Sequence, residues 1–250
     1  PDFQNKHLDR NEMLVAVNAL SASLRDVCGA VCSHAVDASR KSFDSKWDTF
    51  VLDCQEKEVK VAFVYICSHA IIDSEGCLRL VLKGSDELKG NHLLTKIRDL
   101  RCKISQSKVI IFLECCYAGA LIPKNDSTSL GISSVGLLQL LHHPSKFKVV
   151  EGSGTVLFMS CEREELSTAC IFASSLVEIL EENKQHVTAK TLVEDVVRMV
   201  KSKTRSTWYG RQNPTYLCVP NNIEEIGVIG GCGEEELMEV DSPVQSPGML

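Results

Sequence analysis

Residues 59–68 read VKVAFVYICS, and residues 108–114 read KVIIFLE. Both are unbroken apolar runs of strand length, rich in β-branched and aromatic residues. Runs of this kind suit strands buried on both faces, as in a parallel sheet, better than strands with one side in water. Parallel neighbours need a long crossover between them. The intervening sequence supplies one: a turn at 73–76 (DSEG), a weakly alternating stretch at 77–82 (CLRLVL) fit for half a hairpin, and a helix over 86–102 through Leu88, Leu93, Leu94, Ile97 and Leu100.

Working outward, residues 11–25 place Leu14, Val17, Leu20, Ser21 and Leu24 at helical spacing. Residues 27–36 (VCGAVCSHAV) predict a buried strand. Asp37–Ala38–Ser39 predicts a helix cap, and 40–55 puts Phe43, Trp47, Phe50 and Val51 on one helix face. On the other side, 120–154 is a long connection containing Pro123, Asn125, Asp126 and Gly152–Ser153–Gly154, with room for one helix in its apolar patch. TVLFMS (155–160) predicts a strand, 167–182 and 188–203 predict helices, and QNPTYLCVP (212–220) predicts a last strand. This alternation predicts an α/β three-layer sandwich, a mostly parallel sheet flanked by helices, over residues 1–220.

The 250 residues carry 27 Lys and Arg against 33 Asp and Glu, a net charge of −6. Seven of the acids lie within 221–250, which has no Lys or Arg, so the body is near neutral. The end therefore reads as an acidic flexible tail, with Ser242–Pro243 and Ser246–Pro247 as candidate regulatory sites. A near-neutral body lacks the dense basic patch of a nucleic-acid binder. No apolar run reaches the roughly 18 residues of a membrane span, and the polar start (PDFQNKHLDR) does not resemble a signal peptide. The chain begins at Pro, as a fragment would.

Twelve cysteines, many inside apolar runs, fit reduced thiols used as small buried hydrophobes, and hence the cytosol or the nucleus. No CxxC occurs, and Cys28 and Cys32 lack a second ligand pair, so no metal and no cofactor is expected. A nucleotide-binding α/β domain is disfavoured by the absence of a Gly-rich phosphate loop or a GxxxxGK[ST] motif.

In open α/β sheets, sites form beyond the carboxyl ends of strands. The first run ends in Ser68–His69–Ala70 and the second in Cys115–Cys116–Tyr117–Ala118–Gly119. Adjacent parallel strands would bring an imidazole and a thiol to one edge, the pairing that cysteine catalysis requires. A Gly shortly after the Cys permits a tight turn whose N–H groups could hold an oxyanion.

SHA (68–70) and ECCYAG (114–119) resemble the two catalytic motifs of the caspase and metacaspase superfamily of cysteine endopeptidases. The resemblance runs over about residues 8–220 and includes TVLFMSCEREELS and QNPTYL. It implies His69 as the catalytic histidine and Cys116 as the nucleophile, with Ala70 and Cys116 supplying oxyanion N–H groups. Cys115 would face the other side of the strand end. Glu114 falls at the floor of the pocket for the residue before the cut bond, which favours Lys or Arg there. Arg10 aligns with an arginine that binds an Asp substrate in caspases and pulls the other way. Ala70 replaces the family's Gly, and a Tyr117–Ala118 pair stands where smaller or polar residues are usual. These departures support an alternative, a pseudo-protease or a CHAT-like scaffold acting through protein–protein contacts. The implied partners are a protein or peptide substrate and a homodimer mate or adaptor. Lys124, Asp126 and Lys146 are candidate cut points in the 120–154 connection.

Overall fold

A computed structural model describes residues 10–28, 30–122, 154–168, 170–182, 187–205, 210–219 and 228–229. Two helices come first, α1 (Arg10–Cys28) and α2 (Arg40–Glu56). They lead into β1 (Val61–Cys67), the hairpin strands β2 (Ala70–Ile72) and β3 (Leu78–Val81), β4 (Glu87–Lys89), α3 (Gly90–Lys103) and β5 (Lys108–Glu114). A short 3-10 helix, Ala118–Leu121, follows β5. Then come β6 (Gly154–Met159), α4 (Ile171–Glu182), β7 (Val187–Thr188), α5 (Ala189–Lys203), β8 (Thr215–Val219) and β9 (Val228–Ile229).

The central sheet has the order β1-β5-β6-β8. β1, β5 and β6 run parallel, and β8 closes the edge antiparallel to β6. β5 alternates between two apolar layers. Val109, Ile111 and Leu113 face Trp47, Val51, Leu93 and Ile97 of α2 and α3. Ile110 and Phe112 face Leu20 and Leu24 of α1, Phe172 and Leu176 of α4, and Val196 of α5. Period-two alternation on a strand with helices on both sides is the sandwich predicted above. The second layer is anchored by aromatic contacts: Phe172 meets Phe158 edge-on at 4.9 Å between ring centroids, and Phe112 lies 6.1 Å from Phe172.

The predicted cap is present: Ser42 N–H donates to Ser39 Oγ at 3.3 Å at the start of α2. The hairpin turn is fixed by Asp73, whose Oδ1 accepts from the N–H groups of Glu75 and Cys77, while Gly76 takes φ +76°.

The strand predicted over 27–36 does not form. α1 runs on through Cys28, and residues 30–39 take no regular structure. A short apolar run cannot by itself distinguish a helix end from a strand. Here Leu20 and Leu24 are buried at helical spacing and carry α1 on, whereas Val31 is 84% exposed and has no apolar layer to enter. The ten cysteines whose side chains are described are all free thiols. Among the described residues, no helix is long and apolar enough to cross a membrane. Residues 123–153, with Lys124, Asp126 and Lys146, lie outside the described residues. So does the acidic end apart from Val228 and Ile229, which pair with Thr188 and Val187.

Candidate active site

The register of β1 on β5 runs from Val61↔Lys108 to Cys67↔Glu114. Ser68 N–H extends it by donating to Glu114 O at 3.2 Å. His69 and Cys116 each stand two residues past the last paired position. Within the strands, Phe63 and Tyr65 of β1 share an apolar layer with Ile110 and Phe112 of β5, and the same alternation carried two residues past each end would bring His69 and Cys116 to that side. His69 is exposed, and Cys116 is half-buried, its Sγ 3.9 Å from the carbonyl oxygen of Ser167.

The neighbouring thiols differ. Cys115 is 3% exposed and shares the opposite layer with Leu113. Burial raises its pKa well above the usual thiol range, and the nearby Cys161 adds to this. A thiol held protonated in an apolar layer is a poor nucleophile. Of the two adjacent cysteines, Cys116 is the one open to solvent.

Two backbone N–H groups next to these strand ends are not used by the neighbouring strand or loop. Val81 N–H donates to His69 O at 2.8 Å, and Ala70 sits opposite Leu80. In antiparallel geometry that makes Ala70 a non-hydrogen-bonded pair residue, so its N–H points away from β3. The N–H of Cys116 has no acceptor among the described residues. Tyr117 N–H is taken, donating to Glu165 O at 2.8 Å. Ala70 is not among the residues with positive φ, so its conformation is one that alanine adopts without strain.

Glu114 is 2% exposed, and both its oxygens are engaged. Tyr65 O–H donates to Oε2 at 2.6 Å, and the N–H groups of Phe172 and Ala173 at the start of α4 donate to Oε1 and Oε2 at 3.1 and 3.0 Å. The carboxylate thus caps α4 from beneath. A substrate side chain would have to displace these donors to reach it. Burial outweighs the hydrogen bonds and raises the Glu114 pKa to about 7. Arg10 opens α1, and its side chain lies outside the described residues.

Three side chains that sequence reasoning passed over hold this region together. Arg163 donates to Gly76 O at 3.0 Å and to Ile122 O at 2.9 Å, joining the hairpin to the segment after Cys116. Glu165 and Gln212 tie the loop after β6 to the approach to β8. Gly119 is required by contact: a Cβ there would lie 2.7 Å from Arg163 N and 2.9 Å from Glu162 C. The only available signal was polar residues in CEREELS and QNPTYL. Polar letters near strand ends are too common to be assigned partners without coordinates.

Asp73, Glu75 and Cys77 bring three possible ligand atoms within 4.8 Å of one another. Asp73 Oδ1 is already used by the turn and Oδ2 by Arg79 Nε at 2.9 Å, which leaves the group poorly suited to a cation.

Comparison with known proteins bears on the family and the fold. The caspase domain family, Peptidase C14, matches residues 2–222. Among solved structures, the chain is similar to the Drosophila initiator caspase Dronc, with a TM-score of 0.56 and 8% identity over 87% of this chain and 74% of that one. It is also similar to pro-sf-caspase-1, with a TM-score of 0.53 and 14% identity over 82% of this chain and 78% of that one. A search of curated proteins gave no match in sequence. Identities this low establish the shared fold, while the family match spans nearly the whole chain: it belongs to the caspase domain family.

Proposed function

We propose that this caspase-fold chain is a cysteine endopeptidase. Cys116 attacks the carbonyl of the scissile bond, His69 protonates the leaving amine, and the N–H groups of Ala70 and Cys116 stabilise the oxyanion. Water then hydrolyses the acyl-enzyme. The observation that carries this reading is the matched register of the two strand ends, with an exposed imidazole two residues past one and a half-buried thiol two residues past the other. The closed environment of Cys115 supports Cys116 as the nucleophile, and the unstrained Ala70 removes the main objection to an oxyanion site.

The preference for Lys or Arg before the cut rests on Glu114. With both oxygens bonded, its charge acts on a bound cation through its field alone. Because that charge develops as pH rises through about 7, the preference for a basic residue should strengthen between pH 6 and 8.

The test uses peptidyl acyloxymethyl ketones bearing Arg, Lys or Asp next to the warhead. The basic probes should label the wild type and not Cys116→Ala, while Cys115→Ser should label as wild type does. Labelling that survives Cys116→Ala and is lost in Cys115→Ser would reverse the assignment. A wild-type chain that reacts with no probe and cleaves no peptide in a broad library would favour the scaffold alternative.

A further inference from the structure

The turn that carries the nucleophile candidate is strained. Tyr117, immediately after Cys116, has φ +60°, a left-handed conformation costly for an aromatic residue. Something outside the turn must hold it, and the structure shows what does.

Tyr117 N–H donates to the backbone oxygen of Glu165 at 2.8 Å, and Cys161 Sγ donates to the same oxygen at 3.4 Å. The Glu165 side chain is fixed in turn from two directions. Its Oε2 accepts from Asn213 N–H at 2.8 Å and from Glu162 N–H at 3.1 Å, and its Oε1 accepts from the Asn213 side-chain amide. The other end of the loop is fixed by Gln212, which is 1% exposed. Gln212 Nε2 donates to Ser160 O at 2.6 Å and to Ser167 Oγ at 3.3 Å, and its Oε1 accepts from Thr168 N–H at 2.9 Å. Ser167 is the residue whose carbonyl lies beside Cys116 Sγ. The loop 161–168 therefore touches the turn at Tyr117 N–H and at the thiol, and these two touches trace back to the dipeptide Gln212–Asn213, while Cys161 holds the turn separately by accepting from Gly119 N–H at 3.0 Å and donating to Cys115 O at 3.3 Å.

We propose that Glu165, seated on Asn213, is a positioning residue that holds the left-handed Tyr117 turn and so aims the Cys116 thiol, with Gln212 anchoring the far end of the same loop. Glu165 reaches the thiol only through the backbone and touches no reacting atom. The role of the aim in catalysis rests on the peptidase reading above. The latch itself does not.

The experiment therefore has two independent readouts on the full chain. The first is hydrogen exchange at the Tyr117 amide in wild type, Glu165→Ala, Glu165→Gln and Asn213→Ala. Glu178→Gln, which breaks only the surface pair with Lys203, serves as a control. Protection at Tyr117 should fall at least about tenfold in Glu165→Ala, less in Asn213→Ala, and be largely restored in Glu165→Gln, which keeps one acceptor. Unchanged protection in Glu165→Ala overturns the latch.

The second readout compares two reagents at Cys116 well below the unfolding transition. Labelling by the peptidyl probe needs an aimed thiol, whereas alkylation by iodoacetamide needs only an accessible one. Glu165→Ala should lose about tenfold to a hundredfold in probe labelling while iodoacetamide alkylation stays within about threefold. Equal loss with both reagents, or none with either, refutes the positioning role. If the wild type itself ignores the probe, the peptidase reading fails while hydrogen exchange still decides the latch.

Discussion

Replacing Glu114 with Gln should flatten part of the pH dependence of folding stability. Its carboxyl group is buried in the folded chain, and burial lifts its pKa from 4.5 to about 7. A raised folded-state pKa means that the folded form prefers the protonated acid. The stabilisation is fully present below about pH 4.5 and is lost progressively as pH climbs to about 7. A gap of roughly 2.5 pH units corresponds to about 3.5 kcal/mol in full, using about 1.4 kcal/mol per unit. Gln is neutral throughout and carries none of this slope. It also puts an NH2 donor where an oxygen of the acid accepts from α4, which leaves one N–H poorly matched at a cost of about 1–3 kcal/mol. The variant should therefore be the less stable protein at pH 5, with the gap closing by up to about 3 kcal/mol by pH 8. Urea unfolding under reducing conditions at pH 5, 6, 7 and 8 measures that difference directly, and groups other than Glu114 cancel from it. A wild-type minus variant difference that stays constant to within about 1 kcal/mol across this range would refute the argument.

Ala70→Gly should leave kcat/KM within about twofold, because Ala70 does not hold a conformation reserved for glycine. Ala70→Pro deletes the N–H that points away from β3 while sparing the ladder, and should cost about a hundredfold or more in kcat at similar KM. A Gly variant much faster than wild type would show the alanine to be strained after all. Gly119→Ala drives a methyl group into the backbone of Arg163 and Glu162. It should destabilise the fold by about 1–3 kcal/mol in urea titrations, and a neutral result would mean that the loop shifts freely.

The central strands were legible because each is long, apolar and bounded by turn residues. VKVAFVYICS and KVIIFLE became β1 and β5 in the expected parallel pairing, and the imidazole and thiol at their ends follow from that pairing. The segment 27–36 misled because its apolar letters are mostly small and are broken by Gly29, Ser33 and His34, and helix α1, packed under the sheet, took the first of them. Glu114 shows the limit in the candidate site. Its position at a strand end was readable, but its partners lie on α4, nearly sixty residues downstream, so its engagement by Phe172 and Ala173 could not be read from the motif. The same distance hid Glu165 and Gln212. Their importance comes from what they hold, which periodicity and spacing do not record.

The grip of Arg163 bears on what backbone cleavage between 123 and 153 could achieve. This arginine follows β6, downstream of that stretch, yet its guanidinium holds carbonyls of Gly76 and Ile122 from upstream. The β5–β6 ladder and the ring contact of Phe112 with Phe158 span the same divide. A nicked molecule would remain a single particle, two polypeptides clasped through the middle of one sheet. Scission there would change the freedom of two new chain ends while leaving β1, β5 and β6 in register.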